Sequence, residues 1–399
     1  MASQTVLIIN CGSATVKYQL LELPSETVIV KGVFDGIGQQ QASHSYCWQD
    51  ESGHSHDEKL VMTSLSYLTC FVAISDVLNK HELAKPDAIG HRVVHGGELF
   101  NRPTLIDVPV LAQIEQLSSL APLHNPANVQ GIEECLNLFP DIPQVAVFDT
   151  AFHQTLPEYA YRYPVPEKWY SEYHIRKYGF HGSSHRYVAQ QAADYLHIPL
   201  SQLNLITLHL GNGASMAAIK QGQCIDTSMG FTPLEGLMMG SRSGDIDPAI
   251  SLHLQQQYAM TTEQITDDLN HHSGLLAVAG NYDMRQILSQ REQGDVNSQL
   301  ALDMYCYRIK KYIGSYIASL GHVDALIFTG GVGENSAPIR WQVCDNLSGL
   351  GIEVDAARNE QSTDDTIEIS HTESRVKTLV IRSNEELQIA REVNSFLQH

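Results

Sequence analysis

The chain has 399 residues, of which 43% are hydrophobic and 18% are charged, so its composition is that of a globular protein long enough for two domains. Its formal net charge of −20 disfavours nucleic acid and anionic membranes as partners, and an anionic substrate would need a local cluster of Arg and Lys. The seven scattered Cys include no CxxC pair, and there is no signal peptide or apolar run of roughly 20 residues, so we expect a reduced cytoplasmic protein without disulfides or a zinc site.

The first predicted element is a hairpin over residues 6–23. Two apolar segments flank the turn Asn10-Cys11-Gly12-Ser13, which is the pattern of two strands joined tightly. Asn10, Ser13, Thr15 and Lys17 together suit a phosphate group or its metal ion. The alternative is an ordinary hairpin with a solvated lysine.

Helical periodicity predicts helices over 65–83, 108–120 and 129–139, and an apolar segment predicts a strand over 144–148 that ends at Asp149. Between the hairpin and the first helix, His44, His54 and His56 have no ligand partners at metal-binding spacing, so we interpret them as solvated loop residues. A helix follows Gly182, with Ser183 or Ser184 as its predicted N-cap.

At Leu205 the opening pattern returns, with an apolar strand, a glycine turn and a second strand that ends near Gly222. Two similar units about 200 residues apart indicate an internal duplication, one unit per domain, with a cleft between them. Further along, a long helix over 300–320 ends at Gly321, and strands over 325–329 and 378–382 follow. Strands that alternate with helices define the α/β class.

The C-terminal segment predicts one free carboxylate. Ser383 and Glu386 have the spacing of a capping box, so we expect a helix to begin there with Glu386 bonded to the backbone. Glu385 would then be available to a metal ion.

Standard nucleotide motifs are absent, since there is neither a GxxxxGK[ST] nor a GxGxxG pattern. Instead, glycine turns follow apolar strands at three places, namely Gly12, Gly211–Gly213 and Gly330–Gly333. Such turns allow backbone N–H groups to approach an anion closely. Together with Lys17, they fit a nucleotide whose phosphates are held by several loops.

Four other side chains have chemically suggestive contexts. Arg92 and Arg242 lie in glycine-rich segments from which a guanidinium could bind a carboxylate or phosphoryl group, although a surface ion pair is the ordinary role of a loop arginine. Asp149 ends a strand, where α/β proteins place functional carboxylates, and helix capping is its alternative role. His181 and His185 have the spacing of a zinc-binding helix but lack the Glu of HExxH, so a zinc protease is disfavoured.

Nine segments together resemble the acetate kinase (acetokinase) family of the acetate and sugar kinase/Hsp70/actin superfamily. They are NCGSATVK, GHRVVHGG, APLHNPAN, VAVFDTAFHQT, YGFHGSSH, HLGNGAS, DTSMGFTPLEGLMMGSRSGDIDP, FTGGVGEN and SNEEL. The resemblance implies duplicated ribonuclease-H-like (actin-like ATPase) α/β domains with a cleft between them. The expected boundaries are residues 1–150 plus 386–399 for a domain with the carboxylate-side residues and the C-terminal helix, and 151–385 for a nucleotide-binding domain.

The resemblance also implies site residues by role. The metal would be held by Asn10 and Glu385, and Asp149, Arg242 and His181 would be the catalytic residues. Acetate would be bound by Arg92, and its methyl group would contact Val94, Leu123, Phe180 and Pro233. ATP would be bound by Lys17, His209, Leu210, Gly211, Asn212, Gly213, Asp283, Met284, Arg285, Gly331, Val332, Gly333, Glu334 and Asn335. The sequence departs from the commoner family pattern at Ala14, Thr15, Ser183 and Ser241.

The implied reaction is reversible Mg²⁺-dependent phosphoryl transfer from ATP to acetate, giving acetyl phosphate and ADP, with Mn²⁺ able to replace Mg²⁺. Acetate is ionised at pH 7 and needs no general base, so direct in-line transfer is favoured and Asp149 is interpreted as an orienting group. A propionate or short-chain acyl kinase is one alternative, and an actin- or Hsp70-like ATPase with a conformational output is another. The resemblance further implies a cytoplasmic homodimer with no nucleic acid or membrane partner.

Overall fold

The computed structural model describes residues 3–50, 52–361 and 366–398. Within these residues the strands are β1 Gln4–Cys11, β2 Thr15–Leu23, β3 Thr27–Asp35, β4 Ala42–Gln49, β5 Ser55–Met62, β6 Ala88–Val93, β7 Thr104–Leu105, β8 Gln144–Phe148, β9 Asn204–Leu210, β10 Ala214–Lys220, β11 Gln223–Thr227, β12 Ala325–Thr329, β13 Thr366–Glu368 and β14 Lys377–Ile381.

The α-helices of the described residues are α1 Tyr67–Lys80, α2 Val108–Gln116, α3 Asn125–Leu138, α4 Glu158–Tyr161, α5 Glu167–Ser171, α6 Gly182–Leu196, α7 Ala249–Tyr258, α8 Thr262–His271, α9 Gly274–Ala279, α10 Met284–Glu292, α11 Val296–Leu320, α12 Gly330–Asn335, α13 Ala337–Cys344, α14 Ala356–Asn359 and α15 Glu385–Leu397. Short 3-10 helices lie at Leu117–Ser119, Ala151–Thr155, Leu200–Gln202 and Ser348–Leu350.

The chain divides into two compact units. Unit 1 comprises Met1–Ala151 and Asn384–His399, and unit 2 comprises Phe152–Ser383. The expected boundaries were 150/151 and 385/386, so each lies within two residues of a division in the structure. The difference matters for Glu385, which begins α15 and belongs to unit 1 rather than to unit 2.

Unit 1 is built on an eight-stranded sheet in the order β5-β4-β3-β2-β1-β6-β8-β7. Strand β1 pairs antiparallel with β2 and parallel with β6, which pairs parallel with β8. Strand β1 is apolar at successive positions because both of its faces are covered. Leu7 and Ile9 belong to the core cluster that includes α1, whereas Gly90 of β6 lies against Ile389 and Val393 of α15.

Unit 2 repeats this arrangement with a six-stranded sheet in the order β11-β10-β9-β12-β14-β13. Strand β9 pairs antiparallel with β10 and parallel with β12, and β12 pairs parallel with β14. Helix α6 packs on β9, β12 and β14, and α11 packs on β9 and β10. The predicted α/β class and the predicted duplication are therefore confirmed.

Two local predictions are wrong, at His44 and at the start of α6. His44 lies on β4 with 1% of its surface exposed, stacked on Phe34, because β4 extends the sheet where a loop was expected. His181 precedes α6 as its N-cap in the left-handed conformation, so Ser183 and Ser184 lie inside the helix. Segment Gly330–Gly333, predicted as a glycine turn after a strand, follows β12 directly and forms the first turn of α12.

The predicted capping box at the start of the last helix is also wrong. Asn384 is the N-cap of α15, and its side chain accepts a hydrogen bond from the backbone N–H of Leu387. Ser383 is bonded to Glu334 instead, so Glu386 is not the N3 residue. Glu385 is the first residue of the helix, and its carboxylate is still available at the helix N-terminus.

Among the helices of the described ranges, none is both long enough and apolar enough to cross a bilayer.

Candidate active site

Three polar side chains of unit 1 meet at the carboxyl ends of neighbouring parallel strands. Asn10 lies near the end of β1, Arg92 near the end of β6, and Asp149 directly after β8. The register pairs Ile9 with His91 and Arg92 with Val147, which brings the three strand ends together. Ligand sites of α/β sheets lie at such edges.

Arg92 is the centre of this group. Its Nε donates to Asp149 Oδ1 at 3.0 Å, its Nη2 donates to Asp149 Oδ2, and its Nη1 donates to Asn10 Oδ1 at 3.2 Å. Glu385 Oε2 lies 3.7 Å from Arg92 Nε. Three hydrogen bonds use three of the five N–H groups of a guanidinium, so two remain for another acceptor.

The charges of this group perturb one another. Burial opposes ionisation of Arg92, but the Asp149 and Glu385 carboxylates outweigh it and raise its pKa. Burial raises the pKa of Glu385, and Glu386 adds to that effect while Arg92 and Lys17 oppose it. Asp149 is 1% exposed and binds Arg92 through both oxygens, so it is a buried, bidentate partner.

The opening hairpin places Lys17 opposite Asn10. The two residues are direct partners in the β1–β2 register, and the Lys17 side chain is exposed. The turn is closed by a hydrogen bond from Gly12 N to Thr15 O at 2.8 Å, and Tyr67 Oη donates to Gly12 O at 2.7 Å. The hairpin is therefore a braced turn that carries an amide and an ammonium group on opposing positions.

Two buried asparagines from the APLHNPAN segment hold the loop after β6. Asn128 Oδ1 accepts from Val94 N at 3.0 Å while its Nδ2 donates to Cys11 O at 2.7 Å. Asn125 accepts from His95 N at 3.1 Å and donates to His95 O at 3.0 Å. Asn128 thus connects the segment that carries Val94 to the residue that follows Asn10.

In unit 2, His181 lies beside the glycine turn between β9 and β10. Its φ of 58° is unusual for a residue with a side chain, and such strain is common at functional sites. Its ring stacks on His209 with centroids 4.3 Å apart. A Cβ at Gly213 would lie 3.5 Å from His181 Cε1 and 3.8 Å from Arg242 Nη1, so the histidine and the arginine face the same glycine.

Arg242 is held within its glycine-rich loop. Its Nη1 donates to the carbonyl of Pro233 at 2.9 Å, and burial lowers its pKa. The loop is joined to the β9–β10 turn by a hydrogen bond from Gly240 N to Asn212 O at 3.0 Å. Pro233, Arg242 and the turn are therefore fixed relative to one another inside unit 2.

Behind His181 lies a buried row of polar side chains. Ser215 Oγ is 2.8 Å from His181 Nδ1 and 2.8 Å from His185 Nε2. His185 Nδ1 is 2.7 Å from Thr207 Oγ1. Ser215, His185 and Thr207 have no exposed surface, and burial lowers the pKa of His185 well below its usual range.

Two other segments of unit 2 contain residues assigned to ATP. Asp283 caps α10, accepting from Arg285 N at 3.0 Å, and forms an ion pair with the exposed Arg285 side chain at 2.7 Å. In the segment after β12, Glu334 Oε1 accepts from Gly330 N at 2.9 Å and from Ser383 N at 2.9 Å. Asn335 Nδ2 donates to Gly331 O at 2.8 Å.

Comparison with known proteins assigns this arrangement to a family. A sequence model described as the acetokinase family matches residues 5–391. The chain belongs to the acetokinase family. An acetate kinase of Sulfurovum sp. (strain NBC37-1) is 49% identical over 389 residues, which is 97% of each chain. An acetate kinase of Syntrophobacter fumaroxidans is 46% identical over 392 residues, covering 97% of this chain and 95% of that protein.

Solved structures of the same fold are also similar over the full length. The Porphyromonas gingivalis acetate kinase is 40% identical with a TM-score of 0.91, covering 99% of this chain and 100% of its own. A propionate kinase from Francisella tularensis subsp. tularensis is 41% identical with a TM-score of 0.91, covering 98% of each chain. The duplicated α/β fold of this acetokinase-family chain is thus shared with kinases named for two different acids.

Within the acetokinase-family chain, the predicted site residues form two groups. Unit 1 brings together Asn10, Lys17, Arg92, Asp149 and Glu385, and it also contains Val94 and the 53% exposed Leu123. Unit 2 brings together His181, His209, Gly213 and Arg242, with Asn212 and Pro233 bonded to the same loop. The remaining predicted residues of unit 2 are Phe180, Leu210, Gly211, Asp283, Met284, Arg285, Gly331, Val332, Gly333, Glu334 and Asn335.

Sequence reasoning missed the supporting residues Asn125, Asn128, Thr207 and Ser215, and it considered His185 only as a zinc ligand. Two signals were available for them. The APLHNPAN segment contains two asparagines at the start of a helix, and His181 and His185 are four residues apart, which places them on one helical face.

Proposed function

We propose that this chain catalyses reversible phosphoryl transfer between ATP and acetate, with acetyl phosphate and ADP as products. The acetokinase-family match and the acetate kinases at 46–49% identity support this assignment. The structural observation that carries the proposal is Arg92, a half-buried arginine fixed near the end of β6 with two N–H groups left for an anion.

In the proposal, Arg92 binds the acetate carboxylate. A guanidinium binds a carboxylate through paired N–H groups, and Asp149 and Asn10 hold this one at a defined orientation. Acetate is already ionised at neutral pH, so no residue has to remove a proton from it. Asp149 therefore orients Arg92 and does not act as a base.

Arg242 and His181 act on the transferring phosphoryl group. Phosphoryl transfer requires mainly positioning and stabilisation of charge on the equatorial oxygens, and a half-buried arginine beside a histidine supplies both. Arg242 is held by the Pro233 carbonyl, so its position is set before substrate binds. We favour direct in-line transfer without a phosphorylated enzyme.

ATP is assigned to Lys17 and to three segments of unit 2. They are the His209–Gly213 turn, Asp283–Arg285 and Gly331–Asn335. Glu334 has a supporting role here, because its Oε1 bonds Gly330 N and Ser383 N and fixes the segment after β12.

Mg²⁺ fits the donor set of unit 1. Asn10 and Glu385 supply an amide and a carboxylate oxygen, which are the hard ligands that Mg²⁺ takes, and both lie next to Arg92. Within the described ranges no three His, Cys, Asp or Glu side chains form a metal cluster, so phosphate oxygens and water would complete the shell. When bound, the ion would neutralise charge on the ATP phosphates.

Acetate preference over propionate is part of the proposal. Val94, Leu123, Phe180 and Pro233 are the residues proposed to contact the methyl group, and the N–H of Val94 is fixed by Asn128. The similar propionate kinase structure keeps a short-chain acyl kinase as the second candidate. An ATPase with only a conformational output is disfavoured because it would have no acid for Arg92 to bind.

We also propose a homodimer formed through unit 2. Exposed apolar side chains on and near α7 and α11 include Ile246, Ile250, Leu252 and Tyr307, with exposures of 37–62%. A cavity of about 490 Å³ beside them is lined by acidic and basic residues, so a second copy related by a two-fold axis could pair opposite charges. Sedimentation velocity measures whether the chain is a monomer or a dimer.

A hydroxylamine-trapping assay tests the reaction. With ATP and Mg²⁺, acetate should give acyl hydroxamate efficiently and propionate should have kcat/KM roughly 10–100-fold lower, since one methylene is worth about 1–3 kcal/mol. Arg92→Ala should raise KM for acetate strongly, whereas the matched control Arg102→Ala, at an exposed arginine outside the site, should not. Absence of acyl hydroxamate from formate, acetate, propionate and butyrate alike would refute the proposal.

A further inference from the structure

The row of side chains behind His181 has a defined direction of hydrogen bonding. Ser215 Oγ lies between His181 Nδ1 and His185 Nε2, at 2.8 Å from each, and Thr207 Oγ1 lies 2.7 Å from His185 Nδ1. All contacts are between groups that can donate or accept, so the direction depends on which donor would otherwise have no acceptor.

Thr207 decides the direction. Its hydroxyl is fully buried on β9 and has His185 Nδ1 as its only side-chain hydrogen-bond partner among the described residues. If Thr207 donates, every hydroxyl and ring N–H in the row has an acceptor. If His185 Nδ1–H donated instead, the buried Thr207 O–H would have none, which is the costly outcome.

We propose that Thr207, His185 and Ser215 are positioning residues that keep His181 neutral with its proton on Nε2. Thr207 donates to His185 Nδ1, His185 Nε2–H donates to Ser215, and Ser215 O–H donates to His181 Nδ1. Protonation of His181 at Nδ1 would leave the buried Ser215 O–H without an acceptor in this row. If Ser215 donated to His185 Nε2 instead, His185 would have to change tautomer and Thr207 would lose its acceptor. The row therefore opposes the imidazolium form.

Arg242 also disfavours a positive charge on His181. Arg242 Nη1 faces the same glycine as the His181 ring, so a proton on His181 would bring like charges close together. The ring also stacks on His209 of β9, which is bonded to Ser184 through Nδ1 at 2.7 Å. His185 lies on the His181 side of α6, and burial keeps it neutral.

The consequence concerns the proposed reaction, on which this inference rests. A neutral His181 offers one fixed Nε2–H to the transferring phosphoryl group and leaves the positive charge to arginine and the metal. No proton has to move on His181 during the reaction. Its contribution should therefore be constant over the pH range in which an ordinary histidine titrates.

Nitrogen NMR of histidine-labelled protein tests the tautomer without any assay of activity. The His181 resonances are assigned by their loss in His181→Asn. In the wild-type chain they should show the neutral Nε2–H tautomer at about pH 7 and keep it down to about pH 6, where an ordinary histidine is largely charged. An imidazolium or an Nδ1–H tautomer at about pH 7 would overturn the proposal.

Ser215→Ala tests the row itself, with Ser298→Ala as its matched control. Ser298 is also a fully buried serine of unit 2 with one side-chain acceptor, Gln290, and lies outside the row. Ser215→Ala should allow His181 to protonate at higher pH and lower kcat roughly 10-fold or more, with KM for acetate changed less than about 2-fold. Ser298→Ala should change neither. Equal His181 titrations in the two variants would refute the role of Ser215.

The two proposals fail separately. A wild-type chain that makes no acyl hydroxamate would refute the kinase function, while its NMR spectrum would still report the tautomer. A wild-type chain that is active but has an imidazolium at His181 would refute only the inference about the row. Thermal melting of Ser215→Ala identifies a loss of folding, in which case the wild-type spectrum alone decides.

Discussion

Asp149 is a carboxylate whose geometry restricts its chemistry. Both oxygens accept hydrogen bonds from Arg92, and the side chain is buried at the end of β8. A carboxylate engaged in this way by a guanidinium is stabilised in its charged form and is a poor proton acceptor. In the proposed reaction, Asp149 therefore supports acetate binding through Arg92, and other residues stabilise the transferring group.

The first prediction compares Asp149→Asn with Arg242→Ala. Asparagine keeps one acceptor oxygen for Arg92, so Asp149→Asn should mainly raise KM for acetate and lower kcat by less than about 10-fold. Arg242→Ala removes the positive charge proposed to stabilise the transferring phosphoryl group and should lower kcat by roughly 1,000-fold or more. Steady-state kinetics at saturating ATP and Mg²⁺ measure both. A loss of kcat in Asp149→Asn as deep as in Arg242→Ala, with unchanged Mg²⁺ affinity, would show that Asp149 acts in the chemical step.

Single residues also show where sequence reasoning stops. Asp149 was predicted because it ends an apolar segment, Asn10 because it lies in a polar glycine turn, and Arg92 because it lies in a glycine-rich segment. Ser215 and Asn128 were not, because a serine inside a strand or an asparagine inside a helix has no distinctive pattern. Their roles come from register and packing, which bring together positions up to 117 residues apart.

At the scale of elements, the strong periodic patterns and the Gly321 helix end were predicted correctly, whereas the helix N-caps at Ser183 or Ser184 and at Ser383 were not. The predicted strand 144–148 matches β8, and the predicted helix 300–320 ends at Leu320 as in α11. Cap prediction failed at Ser383, whose N–H and Oγ both bond to Glu334, 49 residues away. A residue with the spacing of a local capping motif can thus form a tertiary hydrogen bond instead of the cap.

The packing of α3 on β1 depends on one glycine. A Cβ at Gly131 would lie 2.3 Å from the Sγ of Cys11, which is buried in the core of unit 1. We therefore predict that Gly131→Ala destabilises the protein by about 1–3 kcal/mol through overpacking. Gly314→Ala in α11, where a Cβ meets nothing within 4 Å, is the control and should be neutral or stabilising.

Thermal melting of four variants measures this contact. Cys11→Ala removes the sulfur that the new methyl group meets, so the double variant Gly131→Ala/Cys11→Ala should melt at a higher temperature than Gly131→Ala alone. Equal melting temperatures for Gly131→Ala and Gly314→Ala would show that α3 can move away from β1 without cost.

At the scale of the whole molecule, buried histidines are present in both units. Burial lowers the pKa of His44, His91 and His95 in unit 1, and of His153 in unit 2, each to about 4. Below the ordinary histidine pKa the unfolded chain binds protons that the folded chain does not. The contribution of these four neutral, buried histidines to the free energy of unfolding is therefore complete above about pH 6.5 and is lost as the pH falls towards about 4.

His44 allows a test of this pH dependence away from the candidate site. Its ring stacks on Phe34 at 3.8 Å and on Tyr46 at 4.7 Å, so a phenylalanine can occupy the same place without a titrating group. Each such histidine should cost about 1 kcal/mol of unfolding free energy between about pH 7 and pH 5.5. The melting temperature of His44→Phe should therefore fall less between these two pH values than that of the wild-type chain.

The control for that experiment is a histidine whose side chain is already accessible to water. His54→Phe, at a side chain with 78% of its surface exposed, should leave the difference in melting temperature between the two pH values unchanged. Loss of the Tyr18 hydrogen bond in His44→Phe lowers stability at both pH values, so only the difference between them reports the titration. If His44→Phe and His54→Phe show the same difference, protonation of His44 does not contribute to acid destabilisation, and the remaining buried histidines must account for it.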